Sequence, residues 1–287
     1  MILIADSGST KTEWAVIGGE APGSSKPDGG DGTVVLRTQG INPFHQTPEA
    51  IRGILADELL PALQEREITN VYFYGSGVRP EVEPRMEALL REMFPAASVI
   101  EAHGDLLGAA RALCGRNEGI ACILGTGANS CLYDGSTIVS NTPPLGYILG
   151  DEGSGAVFGS HFLRALLRGE LSEKITDDFH AEFNLSTADI LDRVYRRPLP
   201  NRFLASFCPF ISSHLDDASL SAIVTGCFTD FFRHHIAPYH RPDLPISFVG
   251  SVAFHFRTPL TAAAASLGFC VGSIVQSPLQ GLQRYHK

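Results

Sequence analysis

Three glycine-containing turns each follow a short apolar run: Asp6-Ser7-Gly8-Ser9-Thr10-Lys11-Thr12, Gly125-Thr126-Gly127-Ala128-Asn129 and Gly250-Ser251. Glycine lets backbone N–H groups approach a phosphate with no side chain in the way, and serine and threonine add hydroxyl donors. Any one of these alone means little, because most such turns are ordinary hairpins. Together, with Asp, Ser, Thr and Lys in the first, they point to phosphate binding. None is a P-loop, since Lys11 follows Thr10 rather than a glycine, and no GxGxxG follows a strand. Asp6 ends the first apolar run, either as a turn cap or as a carboxylate that holds Mg²⁺. Lys11 is a phosphate ligand or a solvated hairpin charge.

Asp105, in His103-Gly104-Asp105, lies between a strand and a helix. It is an N-cap or a general base at a strand C-terminus, where open α/β sheets place ligands. Asp151 and Glu152 stand between Gly150 and Gly153-Ser154-Gly155. Acidic residues suit a helix start through its dipole, and the flanking glycines suit close approach of a ligand. Asn42, in Gly40-Ile41-Asn42-Pro43-Phe44, is a turn amide or a ligand contact. The six cysteines have no CxxC spacing and read as reduced thiols. There is no HExxH, and the adjacent His234 and His235 are expected to diverge on a helix rather than share a metal.

These residues need elements to hold them. Strands are expected at 2–5, 12–17 and 33–38, as an antiparallel meander, with residues 18–32 a long hairpin loop outside the chemistry. Ile51, Ile54, Leu55, Leu59 and Leu63 mark a helical face that Pro61 should kink or shorten. Strands at 71–74 and 98–101 and helices through Met86–Met93 and 106–113 complete a βββαβαβα order. A second strand–glycine turn–strand–strand series runs from 120 to 139, with Asp134-Gly135 as a hairpin turn. Helical segments follow near 157–166, 187–196, 201–215 and 218–236, then a buried strand at 246–249. Two halves with the same opening suggest a duplicated α/β architecture.

The 287 residues suit two domains or one large one at roughly 100–200 residues each. An apolar fraction of 44% is enough for a sizeable core. A net charge of −9, with no basic run, disfavours a nucleic-acid-coating protein. The apolar stretch 261–275 is too short and too interrupted to span a bilayer, and Asp6 stands where a signal peptide would be basic and apolar. A cytoplasmic protein without nucleic-acid or membrane partners is the expectation.

Taken together, the segments 6–12, 40–44, 104–110, 124–130, 150–155 and 249–251 resemble the sugar kinase–Hsp70–actin superfamily, and within it N-acetylglucosamine kinase and the BadF/BadG/BcrA/BcrD-type ATPases. They lie along nearly the whole chain in that family's order, and Leu149-Gly150-Asp151-Glu152-Gly153-Ser154-Gly155 is the most specific. The resemblance implies a duplicated ribonuclease H-like, actin-like ATPase fold with two lobes around a nucleotide and sugar cleft. Residues 1–105 would be the sugar and phosphate lobe and 106–287 the nucleotide lobe, with a last helix near 278–285 returning to the first.

The activity implied is ATP-dependent phosphorylation of an amino sugar, N-acetylglucosamine at O6, by a cytoplasmic homodimer. Asp6 would organise Mg²⁺. Gly8, Ser9, Thr10 and Lys11 would form the first phosphate loop, and Gly125, Thr126 and Gly127 the second. Gly250 and Ser251 would lie against the adenosine end. Asn42, Asn129, Asp151 and Gly127 would contact the sugar, and Asp105 would accept the proton of the attacking hydroxyl. Pro143-Pro144 stands where the family carries a glycine–tryptophan-like element, so N-acetylmuramic acid and glucosamine remain alternative substrates. A dehydratase activator would need cluster-bridging cysteines, a pattern missing here. A sugar sensor would bring a helix-turn-helix ahead of Asp6 or ROK-type zinc cysteines, and neither is seen.

Overall fold

A strand with no polar residue from Ile2 to Ala5 has no face for water, and β1 (Ile2–Ser7) lies at the centre of a five-stranded sheet. In the computed structural model, which describes residues 1–8, 10–18, 33–64 and 66–287, the chain forms two compact units. Met1–Arg116 with Pro278–Lys287 make the first, and Asn117–Ser277 the second. The hairpin loop expected at 18–32 lies outside the described residues apart from Gly18.

The first unit holds β1, β2 (Lys11–Ile17), β3 (Val34–Gln39), α1 (Pro48–Ile54), a π-helical turn (Leu55–Leu59), α2 (Leu60–Leu63), β4 (Asn70–Gly75), α3 (Glu83–Met93), β5 (Val99–Gly104) and α4 (Asp105–Cys114). The strand order is β3-β2-β1-β4-β5. The first three strands are antiparallel, and β1, β4 and β5 are parallel. Alternation along β1 sends Leu3 and Ala5 to a core with α1 and α3, and Ile4 to a second core with Leu279 and Leu282. Burial on both faces explains the unbroken apolar run.

The second unit holds β6 (Glu118–Leu124), β7 (Ala128–Asp134), β8 (Ile138–Ser140), α5 (Gly146–Leu149), α6 (Gly155–Leu167), α7 (Glu173–Phe183), α8 (Thr187–Tyr195), α9 (Pro200–Ala205), α10 (Cys208–Ser213), α11 (Ala218–Phe231), a π-helical turn (Phe232–Ile236), a 3₁₀ turn (Ala237–Tyr239), β9 (Ile246–Val249), α12 (Ser251–His255), α13 (Arg257–Ser266) and β10 (Val271–Val275). Its sheet, β10-β9-β6-β7-β8, repeats the first in plan: three antiparallel strands, then two parallel to the first of them. The duplicated α/β fold expected of the sequence is present. A phenylalanine-rich core, including Phe158, Phe162, Phe228, Phe231 and Phe248, fills the second unit.

Several elements differ from expectation. Pro61, expected to kink or shorten its helix, is followed by only two more helical residues. The unexpected feature is the π turn one step earlier, closed by Leu60 N–H to Leu55 O, which widens the backbone where a proline would clash. The stretch 201–215 is two helices, because Pro209 sits at the start of α10 and cannot continue α9. Residues 261–275 split into helix and strand at Gly268, whose φ is +78°. The amphipathic helix α7 was not expected. Its N-cap is Ser172.

The helix α14 (Leu279–His286) packs against α4, β1 and β2 of the first unit. A division at 105/106 would separate α4 from this unit. The units divide instead between Arg116 and Asn117. Gly281 lies so close to Ala112 that a Cβ would run into its backbone. Gly281→Val is expected to destabilise the first unit by about 1–3 kcal/mol through overpacking. Urea unfolding checks it, and a wild-type midpoint would show that α14 is not held against α4. Among the described residues, no helix is long and apolar enough to cross a membrane.

Candidate active site

In the first unit, the parallel strands β1, β4 and β5 end in register. Ser7 pairs with Gly75 and Gly75 with Gly104, one row beyond Asp6, Tyr74 and His103. Asp105 follows immediately as the first residue of α4. The N-cap is Gly104, in extended conformation, and not Asp105. The Asp105 carboxylate therefore sits at a helix N-terminus, where the dipole favours an anion. Burial raises its pKa, against the Leu106 and Asp105 amides that lower it. Asp6 is raised to about 7, first by burial, then by the charges of Asp105 and Glu13, with Lys11 opposing. Two partly buried neighbouring carboxylates fit a divalent cation, of the kind that takes one or two protein carboxylates and completes its shell with phosphate and water. Among the described residues, no group of three or more His, Cys, Asp or Glu could hold a metal by itself.

The first turn is tied together from inside. The buried Ser7 and Thr12 hydroxyls bond each other at 2.6 Å. Ser7 Oγ donates to Ile41 O, and the Ile41 amide donates to Ser7 Oγ at 3.0 Å. These bonds place the next residue, Asn42, beside β4. Asn42 Oδ1 accepts from the Phe44 amide, and its Nδ2 reaches Ser76 Oγ at 3.5 Å. Gly77, with φ +80°, has no room for a Cβ against Asn42. The Gly8 amide closes the turn on Lys11 O, and Thr10 O takes the Gly40 amide. Lys11 Nζ is paired with Glu13 at 2.9 Å. Ser9 lies outside the described residues.

In the second unit, the turn at Gly125, Thr126 and Gly127 joins β6 to β7 and docks on the start of α6. Gly155 N–H donates to Gly125 O at 2.8 Å, and Ala156 N–H to Thr126 O at 3.1 Å. Asp151 is 9% exposed and holds φ +55°, a left-handed conformation that costs energy in any residue but glycine. Its carboxylate lies against Gly127, where a Cβ would sit 3.1 Å from Oδ2. Burial raises it to about 6, with the Ala128 and Gly146 amides lowering and Glu152 raising. Asn129 Oδ1 accepts from the Ser130 amide and from Asn141 Nδ2, both at 2.9 Å. Asn141 had no signal in the sequence.

Gly250, at φ +123°, presses on the Leu124 backbone, and its amide donates to Val275 O. This brings Ser251 to the second turn. Gly125, Thr126 and Ser251 line one cleft of about 730 Å³, with Ser206, Cys208 and His255 among the other walls. Sequence reasoning missed those walls, because they arise at the break between α9 and α10 and at the end of α12.

His234 and His235 do not diverge. Both rings reach Glu152, at 3.1 and 2.9 Å. Cys131 pairs with Ala121 and Cys122 with Ser130, so the two thiols lie on opposite faces of the sheet and do not converge on a cluster.

A presumed N-acetylglucosamine kinase of Porphyromonas gingivalis is 49% identical to this chain, over all of this chain and 98% of that one, with a TM-score of 0.92. The chain belongs to the N-acetylglucosamine kinase family. A presumed N-acetylglucosamine kinase of Chromobacterium violaceum shares the fold at 16% identity and a TM-score of 0.69, over 100% and 98% of the two chains. A non-polymerising MamK variant bound to AMPPNP also shares the fold, at 11% identity and 0.52, over 99% and 96%. The fold is the duplicated ribonuclease H-like, actin-like ATPase fold. No protein-family model and no curated protein matches the chain.

The raised pKa of Asp6 has a thermodynamic sign. The folded state keeps a proton up to about pH 7 that an unfolded Asp releases near 3.8, so folding weakens as pH rises between those values. Asp151, raised to about 6, adds in the same direction. Together they should lower the melting temperature of the nucleotide-free protein from pH 4.5 to 7.5 against the opposite pull of His286, which burial lowers to about 4, and Asp6→Asn should reduce that fall. An unaltered slope in that variant would remove Asp6 as its source.

Proposed function

We propose that this protein transfers the γ-phosphoryl group of ATP to an amino sugar, N-acetylglucosamine at O6. The observation that carries the reading is the paired carboxylates Asp6 and Asp105 at the C-terminal ends of parallel strands in a chain of this family. The first unit is the sugar and phosphate side, and the second is the nucleotide side.

Asp105 orients the attacking hydroxyl and takes its proton. Burial strengthens it as a base, and the α4 N-terminus keeps it near the strand ends. Asp6 would hold Mg²⁺, which when bound offsets charge on the transferring phosphates. Gly8, Ser9, Thr10 and Lys11 form one phosphate loop, for which Lys11 leaves Glu13. Gly125, Thr126 and Gly127 form the other, and Gly250 and Ser251 border the adenosine in the cleft beside them. Asn42 offers its amide Nδ2 to sugar hydroxyls, since its Oδ1 is already engaged. Asn129 does the same for the same reason. Asp151 accepts from a sugar hydroxyl beside Gly127. Phosphoryl transfer asks mainly for such positioning and charge stabilisation.

ADP release with Mg·ATP is measured against N-acetylglucosamine, N-acetylmuramic acid, glucosamine, N-acetylmannosamine and glucose. Strong stimulation by N-acetylglucosamine is expected. Stimulation by another member reassigns the substrate, and none by any overturns the reading. Asp105→Asn should lower kcat by about 10²–10⁴-fold while nucleotide and sugar still bind. A near-wild-type kcat would remove Asp105 as the base.

A further inference from the structure

Glu152 and His235 take no part in the chemistry above, yet they are tied to two of its sugar contacts. His235 is 2% exposed and lies in the π turn that extends α11. Its Nε2 meets Glu152 Oε2 at 2.9 Å. Burial alone would raise the Glu152 pKa. Its own amide and the His235 and His234 rings bring it below the ordinary value, so it is an ionised acceptor. His235 Nε2 therefore carries the hydrogen. The other ring nitrogen, Nδ1, is buried without a partner. An apolar ring in this space would avoid that desolvation cost. The wider π turn turns the neighbouring His234 toward the same carboxylate, but His234 is 60% exposed and adds little.

The pair reaches the sugar contacts from two ends. Glu152 follows Asp151, the strained residue whose carboxylate lies against Gly127. The His235 ring stacks on Phe231 at 5.0 Å, and Phe231 packs on Gly153 in the same acidic turn. From its other end, the His235 carbonyl accepts from Thr142 Oγ1 at 3.0 Å and Ser130 Oγ at 3.4 Å. Ser130 and Thr142 both bond Tyr239 Oη. They flank Asn129 and Asn141, which are joined at 2.9 Å. One residue thus links the segment bearing Asp151 to the segment bearing Asn129. Strain at Asp151 and an orphaned nitrogen at His235 are two costs held in one network, as expected of a site kept in place for a ligand.

We propose that Glu152 and His235 are a positioning pair that holds Asp151 and Asn129 as one sugar-binding unit, without touching the sugar or the nucleotide. This rests on the sugar-kinase reading. The test is steady-state kinetics of the full chain with the sugar that stimulates the wild type, varied at saturating ATP, and then ATP varied at saturating sugar. Glu152→Ala should raise the sugar KM about tenfold or more and leave the ATP KM within about twofold. Glu152→Gln, which keeps an acceptor for His235 Nε2, should recover most of the loss, and His234→Ala should match the wild type.

Should Glu152→Ala fail to fold, Thr142→Val probes the other end by removing the hydroxyl that holds the His235 carbonyl, with the same sugar-only rise expected. A wild-type sugar KM in Glu152→Ala or in a folded Thr142→Val overturns the pair. So does a parallel rise of both KM values with a lowered melting temperature, the mark of a merely structural role. A wild type that no sugar stimulates overturns the sugar-kinase reading and the pair together, whereas a stimulated wild type with unaltered variants overturns the pair alone.

Discussion

Burial of two carboxylates, Asp6 and Asp105, at the ends of parallel strands is the constraint around which the first unit is organised. Neither carboxylate is fully solvated, and each lies at the end of a strand whose register leaves little freedom to move apart. The fold tolerates this by using the α4 N-terminus to stabilise Asp105, and by placing Lys11 where it lowers Asp6. What remains is charge that a cation and a proton can relieve. Ser7 and Thr12, bonded to each other on neighbouring strands, tie the strand ends together beside the turn.

The second unit is organised by shape. Gly155 and Gly250 let backbone segments meet at the Gly125 turn, and the break between α9 and α10 at Pro209 supplies part of the cleft wall. Its one strongly perturbed carboxylate, Asp151, is raised by burial and is largely satisfied by backbone amides. The acidic turn gains definition from its neighbours, through the Glu152–His235 contact and the Phe231 ring.

Much of this was legible in the sequence because it is local. Apolar runs ending in Asp6 and Gly125 mark strand ends, and Asp134-Gly135 marks a hairpin. Asp105 after a glycine marks a helix start, although the cap itself proved to be the glycine. What was not legible depends on non-local packing. Pro61 marks a kinked or short helix, but not the π turn one step earlier that lets the chain pass it. Adjacent histidines diverge on an α-helix, and only the π turn after α11 brings His234 and His235 to one carboxylate. The walls at Ser206, Cys208 and His255 come from three separate elements, and no periodicity within any one of them announces a cavity.

The two sheets share one plan, and their registers allow the halves to be laid on each other. Ser7, Gly75 and Gly104 then correspond to Leu124, Gly250 and Gln276, taking the pairing one step past Val249. On that correspondence, Asp6 falls on Ile123 and Asp105 on Ser277. The second copy has neither acid. The two copies are thus specialised rather than redundant: the strand-end carboxylates Asp6 and Asp105 stand in one, and the cleft lined by Gly125, Thr126 and Ser251 in the other.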